Sequence, residues 1–141
     1  MKLITDGAYS SLRDQGGLAF VIIDNDKIVR QYSTMIPHTT NNKMELGAII
    51  LGLCTIREPI DFLEIITDSE YCIGGANGNK RNKNIKLWEK FDQEFDRVRK
   101  LCPIKFTHVK GHNGDKWNEY CDKLAVEASQ LYEIKKKQEY S

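Results

Sequence analysis

The chain opens on a short apolar segment, Lys2 to Asp6, and after a polar interval reaches a nearly continuous apolar run, Leu18-Ala-Phe-Val-Ile-Ile-Asp24. Runs of this length, rich in β-branched and aromatic residues, predict strands. Asp24-Asn25-Asp26 predicts a turn. From Lys27 to Ile36, Ile28, Arg30, Tyr32 and Thr34 alternate against Val29, Gln31, Ser33 and Met35, which gives a third strand of period two. Short connections predict an antiparallel meander. The interval from Tyr9 to Gly17 is polar, ends in two glycines and predicts a loop.

Beyond the meander the period changes. Met44 to Arg57 is densely apolar and meets no proline before Pro59, so it predicts a helix. Positions 45, 48, 49, 52 and 56 share one stripe, occupied by Glu, Ala, Ile, Gly and Ile. That stripe is expected against the sheet, with Ala48 and Gly52 permitting close approach. Phe62 to Thr67 predicts a strand that follows a helix, hence a parallel crossover beside the first strand. Tyr71 to Ile73 predicts a short helix stopped by Gly74-Gly75, and residues 74 to 84 a polar, basic loop. Leu87 to Lys100 is amphipathic, with Leu87, Trp88, Phe91, Phe95 and Val98 along one side. Trp88 and the phenylalanines read as core before they read as base-stacking residues. Ile104 to Val109 predicts a fifth strand, and Asp115 begins a final helix running toward Lys135-Lys136-Lys137. The fold class is α/β: one domain over residues 1–141, a five-stranded mixed sheet of three antiparallel and two parallel strands flanked by helices. Residues from about 130 to 141 read as a basic extension.

Composition narrows this only slightly. A chain of 141 residues with 40% hydrophobic and 9% aromatic residues can bury a core, which excludes disordered and fibrous classes. The net charge of +1 does not by itself announce a polyanion binder. Cys54, Cys72, Cys102 and Cys121 form no C-x-x-C pair and sit in apolar runs, so buried reduced thiols are expected rather than zinc or disulfide sites. Asp6 comes too early for a signal-peptide core, and no apolar run approaches the roughly 20 residues of a membrane span. A soluble, cytoplasmic monomer is the expectation, beginning directly on its first strand with no room for an N-terminal binding module.

Three carboxylates attract attention by position. Asp68 follows a strand at its carboxyl end, where open α/β sheets place ligands, and Asp6 lies similarly late in its own strand. Two aspartates on neighbouring parallel strands bring like charges together, a cost that an intervening cation removes. An aspartate there can equally cap the next helix. Glu45 stands in capping-box spacing from Asn42. It is also a carboxylate on a buried face, where it needs a compensating partner such as a metal ion.

The stretch from 108 to 125 adds a motif: His108-Val-Lys-Gly111-His112-Asn-Gly114-Asp-Lys-Trp-Asn118-Glu119-Tyr-Cys-Asp122-Lys-Leu124-Ala125. It resembles the closing motif of the ribonuclease H family, G-H-x-G-x-x-x-N-E-x-x-D-x-L-A, at every fixed position. Thr5-Asp6-Gly7, Thr39-Thr40-Asn41-Asn42-Lys43-Met44-Glu45 and Thr67-Asp68-Ser69 resemble the family's other motifs, in the family's order. The likeness runs from Ile4 to about Ala128 and is greatest to the single-domain type 1 enzymes.

The resemblance implies Asp6, Glu45, Asp68 and Asp122 as ligands of two Mg²⁺ ions, with Mn²⁺ able to substitute, and His112 as the proton-transfer residue. It implies a substrate, the RNA strand of an RNA–DNA hybrid, hydrolysed to 5′-phosphate and 3′-hydroxyl ends. Asn41 and Asn42 match positions that contact the hybrid's minor groove, where amides suit the 2′-hydroxyls. Thr40 matches a DNA phosphate contact. One of Thr40, Asn41 and Asn42 is also expected to cap the helix. Lys80, Arg81, Lys83 and Lys86 read either as a solvated surface or as contacts to the phosphate backbone. The chain departs from the family at Leu12-Arg13-Asp14, where Asn-Pro-Gly is usual. It also has only a short segment where many bacterial members insert a basic helix and loop. A fold-mate that cuts or joins DNA would not need the Asn41-Asn42 pair, and a non-catalytic hybrid binder would usually lack a carboxylate.

Overall fold

The computed structural model describes residues 1–110 and 115–131, and their order is β1 (Lys2–Ser10), β2 (Gln15–Asp24), β3 (Lys27–Pro37), α1 (Asn41–Cys54), β4 (Leu63–Thr67), α2 (Glu70–Ala76), α3 (Ile85–Arg99), β5 (Ile104–His108) and α4 (Lys116–Ala128). The sheet order is β3-β2-β1-β4-β5. β1, β2 and β3 form the expected antiparallel meander. β4 pairs in parallel with β1, and β5 in parallel with β4.

Alternation along β1 divides the core. Leu3 faces the side covered by Leu46, Ile49 and Leu53 of α1 and by Trp88, Phe91 and Val98 of α3. Ile4 faces the other side, where it joins Ala19, Val21, Cys121 and Ala125 of β2 and α4. β2 is buried on both faces, which explains why its sequence reads as an unbroken apolar run rather than an alternating one. β1 lies at the centre of the sheet with a helix on each side.

The strands reach further than their sequence suggested. Tyr9, Ser10, Gln15, Gly16 and Gly17 belong to the β1–β2 ladder, pairing Ala8 with Gly17, Tyr9 with Gly16 and Ser10 with Gln15. The two glycines provide space here, not a turn. A Cβ on Gly17 would sit 2.1 Å from the Ala125 carbonyl oxygen, so α4 lies directly on β2. A Cβ on Gly16 would meet Met44 Cγ at 2.6 Å.

Two helices also differ from expectation. α1 begins at Asn41 because Thr40 is its N-cap, with Thr40 Oγ1 accepting from the Lys43 amide at 3.2 Å. Asn42 therefore lies inside the first turn, and the capping-box reading of Glu45 is excluded. α2 continues through Gly74-Gly75, which had been expected to stop it. Gly75 is needed by its neighbour, since a Cβ there would lie 2.2 Å from Trp88 Cζ2. Trp88 is 2% exposed and donates from Nε1 to the Tyr71 hydroxyl at 2.9 Å, which makes it a core residue. From α3, Arg97 donates to the carbonyls of Leu53 and Ile56 and closes the end of α1. All four cysteines are free thiols; Cys72, Cys102 and Cys121 are buried and Cys54 is half-buried. Among the described residues, no helix is long and apolar enough to cross a membrane. Lys135, Lys136 and Lys137 lie outside the described residues.

Candidate active site

The parallel register of β1 and β4 pairs Ile4 with Ile66. Asp6 and Asp68 each lie two residues further on; β1 continues to Ser10, so Asp6 stands in the middle of its strand rather than late in it as expected, while Asp68 follows the last residue of β4, and the parallel register sets the two side by side. Glu45 arrives from α1. Its approach depends on Gly7, because a Cβ at that position would lie 2.6 Å from the Glu45 amide nitrogen and 2.8 Å from the Met44 carbonyl carbon. As a result, carboxylate oxygens of Asp6, Glu45 and Asp68 lie within 4.8 Å of one another. Asp6 and Glu45 are buried at 7% and 4% exposure, and Asp68 stands at the open side.

Asp122 comes from the opposite side of β1. Asp115 caps α4 by accepting from the amides of Trp117 and Asn118, at 3.0 and 3.1 Å. Cys121 then seats the helix, its thiol directed at the carbonyl oxygens of Ile4 and Ala19, at 3.6 and 3.4 Å. This delivers Asp122 into a hydrogen bond with Asp6. Three of the four expected ligands thus form a tight group, and the fourth approaches through Asp6.

Burial, then the charge of Asp68 and the hydrogen bond with Asp122, push the Asp6 carboxyl from its ordinary 3.8 up to about 8. Burial, then the charges of Asp6 and Asp68, push Glu45 from 4.5 up to about 10. Glu45 Oε2 is moreover buried without a hydrogen-bond partner. An orphaned carboxylate oxygen beside two further carboxylates is costly on its own and is satisfied by a cation. The donors are all hard oxygens, so the residues fit a hard divalent cation such as Mg²⁺ or Mn²⁺.

The other expected site residues are spread around this centre. Thr40, Asn41 and Asn42 are exposed at the start of α1, about one helical turn ahead of Glu45. Lys80, Lys83 and Lys86 are exposed near the start of α3. Arg81 is turned into the fold: its guanidinium lies 4.3 Å from the centroid of the Trp88 ring, pairs with Asp92 at 2.7 Å and donates to the Gly75 carbonyl. Its charge is used within the framework, unlike the three lysines. His112 lies outside the described residues.

Two residues were given no role by the sequence reading. The His108 ring meets the Asp68 carbonyl oxygen from Nε2 at 3.3 Å, a contact that the pairing of Thr67 with His108 makes possible. Asn118 Nδ2 is buried without a hydrogen-bond partner, one helical turn before Asp122 and on its face of α4. The i, i+4 spacing of Asn118 and Asp122 was the available signal.

Fold and site together define an α/β protein in which two neighbouring parallel strands and a helix bring together carboxylates that could hold a divalent metal. The chain belongs to the ribonuclease H family: the family model described as RNase H matches residues 1–130. It is 39% identical to the Ribonuclease H of Rhodopirellula baltica over 94% of this chain and 92% of that protein. It is also 34% identical to the Ribonuclease H of Chlorobium chlorochromatii, over 91% and 94%. A solved structure, the N-terminal RNase H domain of rv2228c from Mycobacterium tuberculosis fused to maltose binding protein, shares the fold with a TM-score of 0.75. It is 20% identical and covers 92% of this chain and 94% of that one. Membership and relatives support a ribonuclease, hence a hydrolase.

Proposed function

We propose that this chain is an endoribonuclease that hydrolyses the RNA strand of RNA–DNA hybrids, leaving 5′-phosphate and 3′-hydroxyl ends, and that it works as a cytoplasmic monomer. The observation that carries this reading is the meeting of Asp6, Glu45 and Asp68 within 4.8 Å in a member of the ribonuclease H family.

Two Mg²⁺ ions held by Asp6, Glu45, Asp68 and Asp122 would supply charge stabilisation at the attacking and leaving oxygens of an in-line displacement. The residues themselves do the rest. Asp6 and Glu45, on which burial holds protons, would have to give those protons up to serve as ligands. His112 takes up or gives a proton at an imidazole nitrogen, whose ordinary pKa suits neutral pH. The amides of Asn41 and Asn42 exchange hydrogen bonds with 2′-hydroxyls and so distinguish RNA from DNA. Thr40 meets a DNA phosphate, and Lys80, Lys83 and Lys86 neutralise further phosphates.

The test is incubation of the purified chain with an end-labelled hybrid, the matching duplex DNA and the matching duplex RNA, each with and without Mg²⁺. Cleavage confined to the RNA strand of the hybrid, dependent on metal and giving ligatable 3′-hydroxyl ends, is expected. Equal cleavage of duplex DNA would move the protein to a DNA-processing role. Hybrid binding without cleavage would make it a binding module.

A further inference from the structure

The β1–β2 connection carries Leu12-Arg13-Asp14 where the family usually has Asn-Pro-Gly, and the structure shows what Asp14 touches. The β2–β3 ladder ends at the pair Gln15–Pro37. Immediately beyond it, the His38 amide donates to the Asp14 carbonyl at 2.9 Å, and the His38 ring Nδ1 meets Asp14 Oδ2 at 2.8 Å. Asp14 Oδ1 accepts from the Tyr9 hydroxyl at 3.0 Å. An ionised carboxylate only accepts, so Nδ1–H of His38 is the donor. Both Asp14 oxygens are therefore engaged by the protein itself.

Asp14 and His38 each adopt a left-handed backbone, with φ of 47° and 51°. Such conformations are costly without glycine and persist where the surroundings impose them. His38 turns the chain from β3 into Thr39, which is buried, and Thr40, the N-cap of α1. Thr39 in turn packs over Gly16, where a Cβ would meet Thr39 Cγ2 at 2.8 Å. The hairpin thus grips the segment leading to Thr40, Asn41 and Asn42 by side chain, by backbone and by packing.

We propose that Asp14 and His38 form a clasp that sets the position of the Thr40-Asn41-Asn42 segment for the substrate, so that Asp14 contributes to hybrid recognition as a positioning residue without touching it. The inference rests on the hybrid-cleaving function proposed above. The clasp joins the β1–β2 and β3–α1 connections, neither of which holds a carboxylate of the site. Removing it loosens the residues that read the substrate while leaving the ion site assembled.

Asp14→Gly is the informative variant, because glycine accepts the left-handed backbone and deletes only the side chain. Asp14→Gly and His38→Ala are each expected to raise KM for the hybrid about three- to tenfold, with kcat within about twofold. The double variant should be no worse than the more affected single one, as for partners in one contact. Asp14→Asn, which tolerates the same backbone and keeps an acceptor oxygen, should recover part of the lost KM. Combined with Asn42→Ala, Asp14→Gly should add little, since it acts through that segment. An unchanged KM in both single variants, or full multiplicative loss with Asn42→Ala, overturns the clasp. So does a fall in kcat and melting temperature with no separate change in KM. Anisotropy of a labelled hybrid in Ca²⁺ distinguishes the two levels of failure. A wild-type chain that binds hybrid but does not cut it removes the functional reading and leaves the clasp to be decided by Kd. A wild type that neither cuts nor binds removes both.

Discussion

Gly7 and Glu45 are in contact through their backbones: a methyl group on Gly7 would lie 2.6 Å from the Glu45 nitrogen. The room left by the missing side chain lets β1 and α1 bring the Asp6 and Glu45 carboxylates together. Gly7→Ala is therefore expected to push α1 outward, to cost about 1–3 kcal/mol of stability as an overpacked substitution, and to abolish metal-dependent cleavage. Urea denaturation and a hybrid cleavage assay measure the two effects. A fully active Gly7→Ala enzyme would show that this spacing is not critical.

The raised carboxyls make the metal-free protein lose stability as pH rises out of the ordinary carboxylate range. Asp6 and Glu45 keep protons in the native state that the unfolded chain loses near 3.8 and 4.5. Their stabilising balance is full below those values and is lost as pH rises, through about 8 for Asp6 and about 10 for Glu45. The melting temperature without metal should fall across this window. Asp6→Asn should flatten the fall, and Mg²⁺ should restore the wild type most at the alkaline end. Thermal melts over a pH series, with and without Mg²⁺, test it; a profile unaffected by Asp6→Asn speaks against it.

Activity and stability should part company in the acidic cluster. Asp68→Asn removes a charge from the edge of the cluster, and Asp6→Asn replaces a carboxyl that the metal-free fold must hold protonated, so neither substitution takes a stabilising charge from the metal-free protein. Both should lose Mg²⁺-dependent cleavage while melting at the wild-type temperature or above. Substantial activity in Asp68→Asn would falsify the assignment of the site.

His112→Ala should behave otherwise. Loss of a proton-transfer group lowers turnover by roughly 10²–10⁴-fold, and the Mg²⁺-induced rise in melting temperature should survive. Single-turnover rates together with metal titration separate this from the loss of a ligand.

Arg81 and the neighbouring lysines should also separate. Replacing Lys80, Lys83 and Lys86 with alanine is expected to raise KM more than it lowers kcat. The dependence of log K on log salt should correspond to only about two to four phosphate contacts. Arg81→Ala should instead lower the melting temperature, because a ring contact worth about 0.5–2 kcal/mol is lost together with the Asp92 pair. A salt slope near that of roughly 6–10 contacts would locate the grip on another surface, with Lys135, Lys136 and Lys137 the first to replace.

What could be read from the sequence was whatever depends on local pattern. The apolar run of β2, the alternation in β3 and the order of strands and helices followed from periodicity and connection length. Asp68 and Glu45 stood out because a strand end and a buried helix face are unusual places for charge; Asp6 was expected at a strand end and lies mid-strand, and Asp122 came only from the resemblance of its motif. The errors share one cause. Gly16, Gly17, Gly74 and Gly75 read as breaks, whereas Gly17 and Gly75 in particular make room for α4 and Trp88, and such contacts come from residues far along the chain. The inward turn of Arg81 onto Trp88 and Asp92 was hidden for the same reason. The Asp14–His38 pair likewise appears only once the β2–β3 ladder fixes both loops side by side.

The thiol of Cys121, pointed at two carbonyl oxygens beneath α4, gives the molecule a built-in clock. Burial first, and then the carboxylates of Asp6, Glu45, Asp122 and Asp68, hold its pKa well above the ordinary thiol value. Only the thiolate reacts with alkylating reagents, so labelling at Cys121 waits for α4 to lift from the sheet. Cys72, pushed up to about 12 mainly by burial, waits for the opposite layer to open. The ratio of the two labelling rates reports which side of the sheet opens first. A cation that ties Asp122 to Asp6 slows the Cys121 hand of the clock selectively.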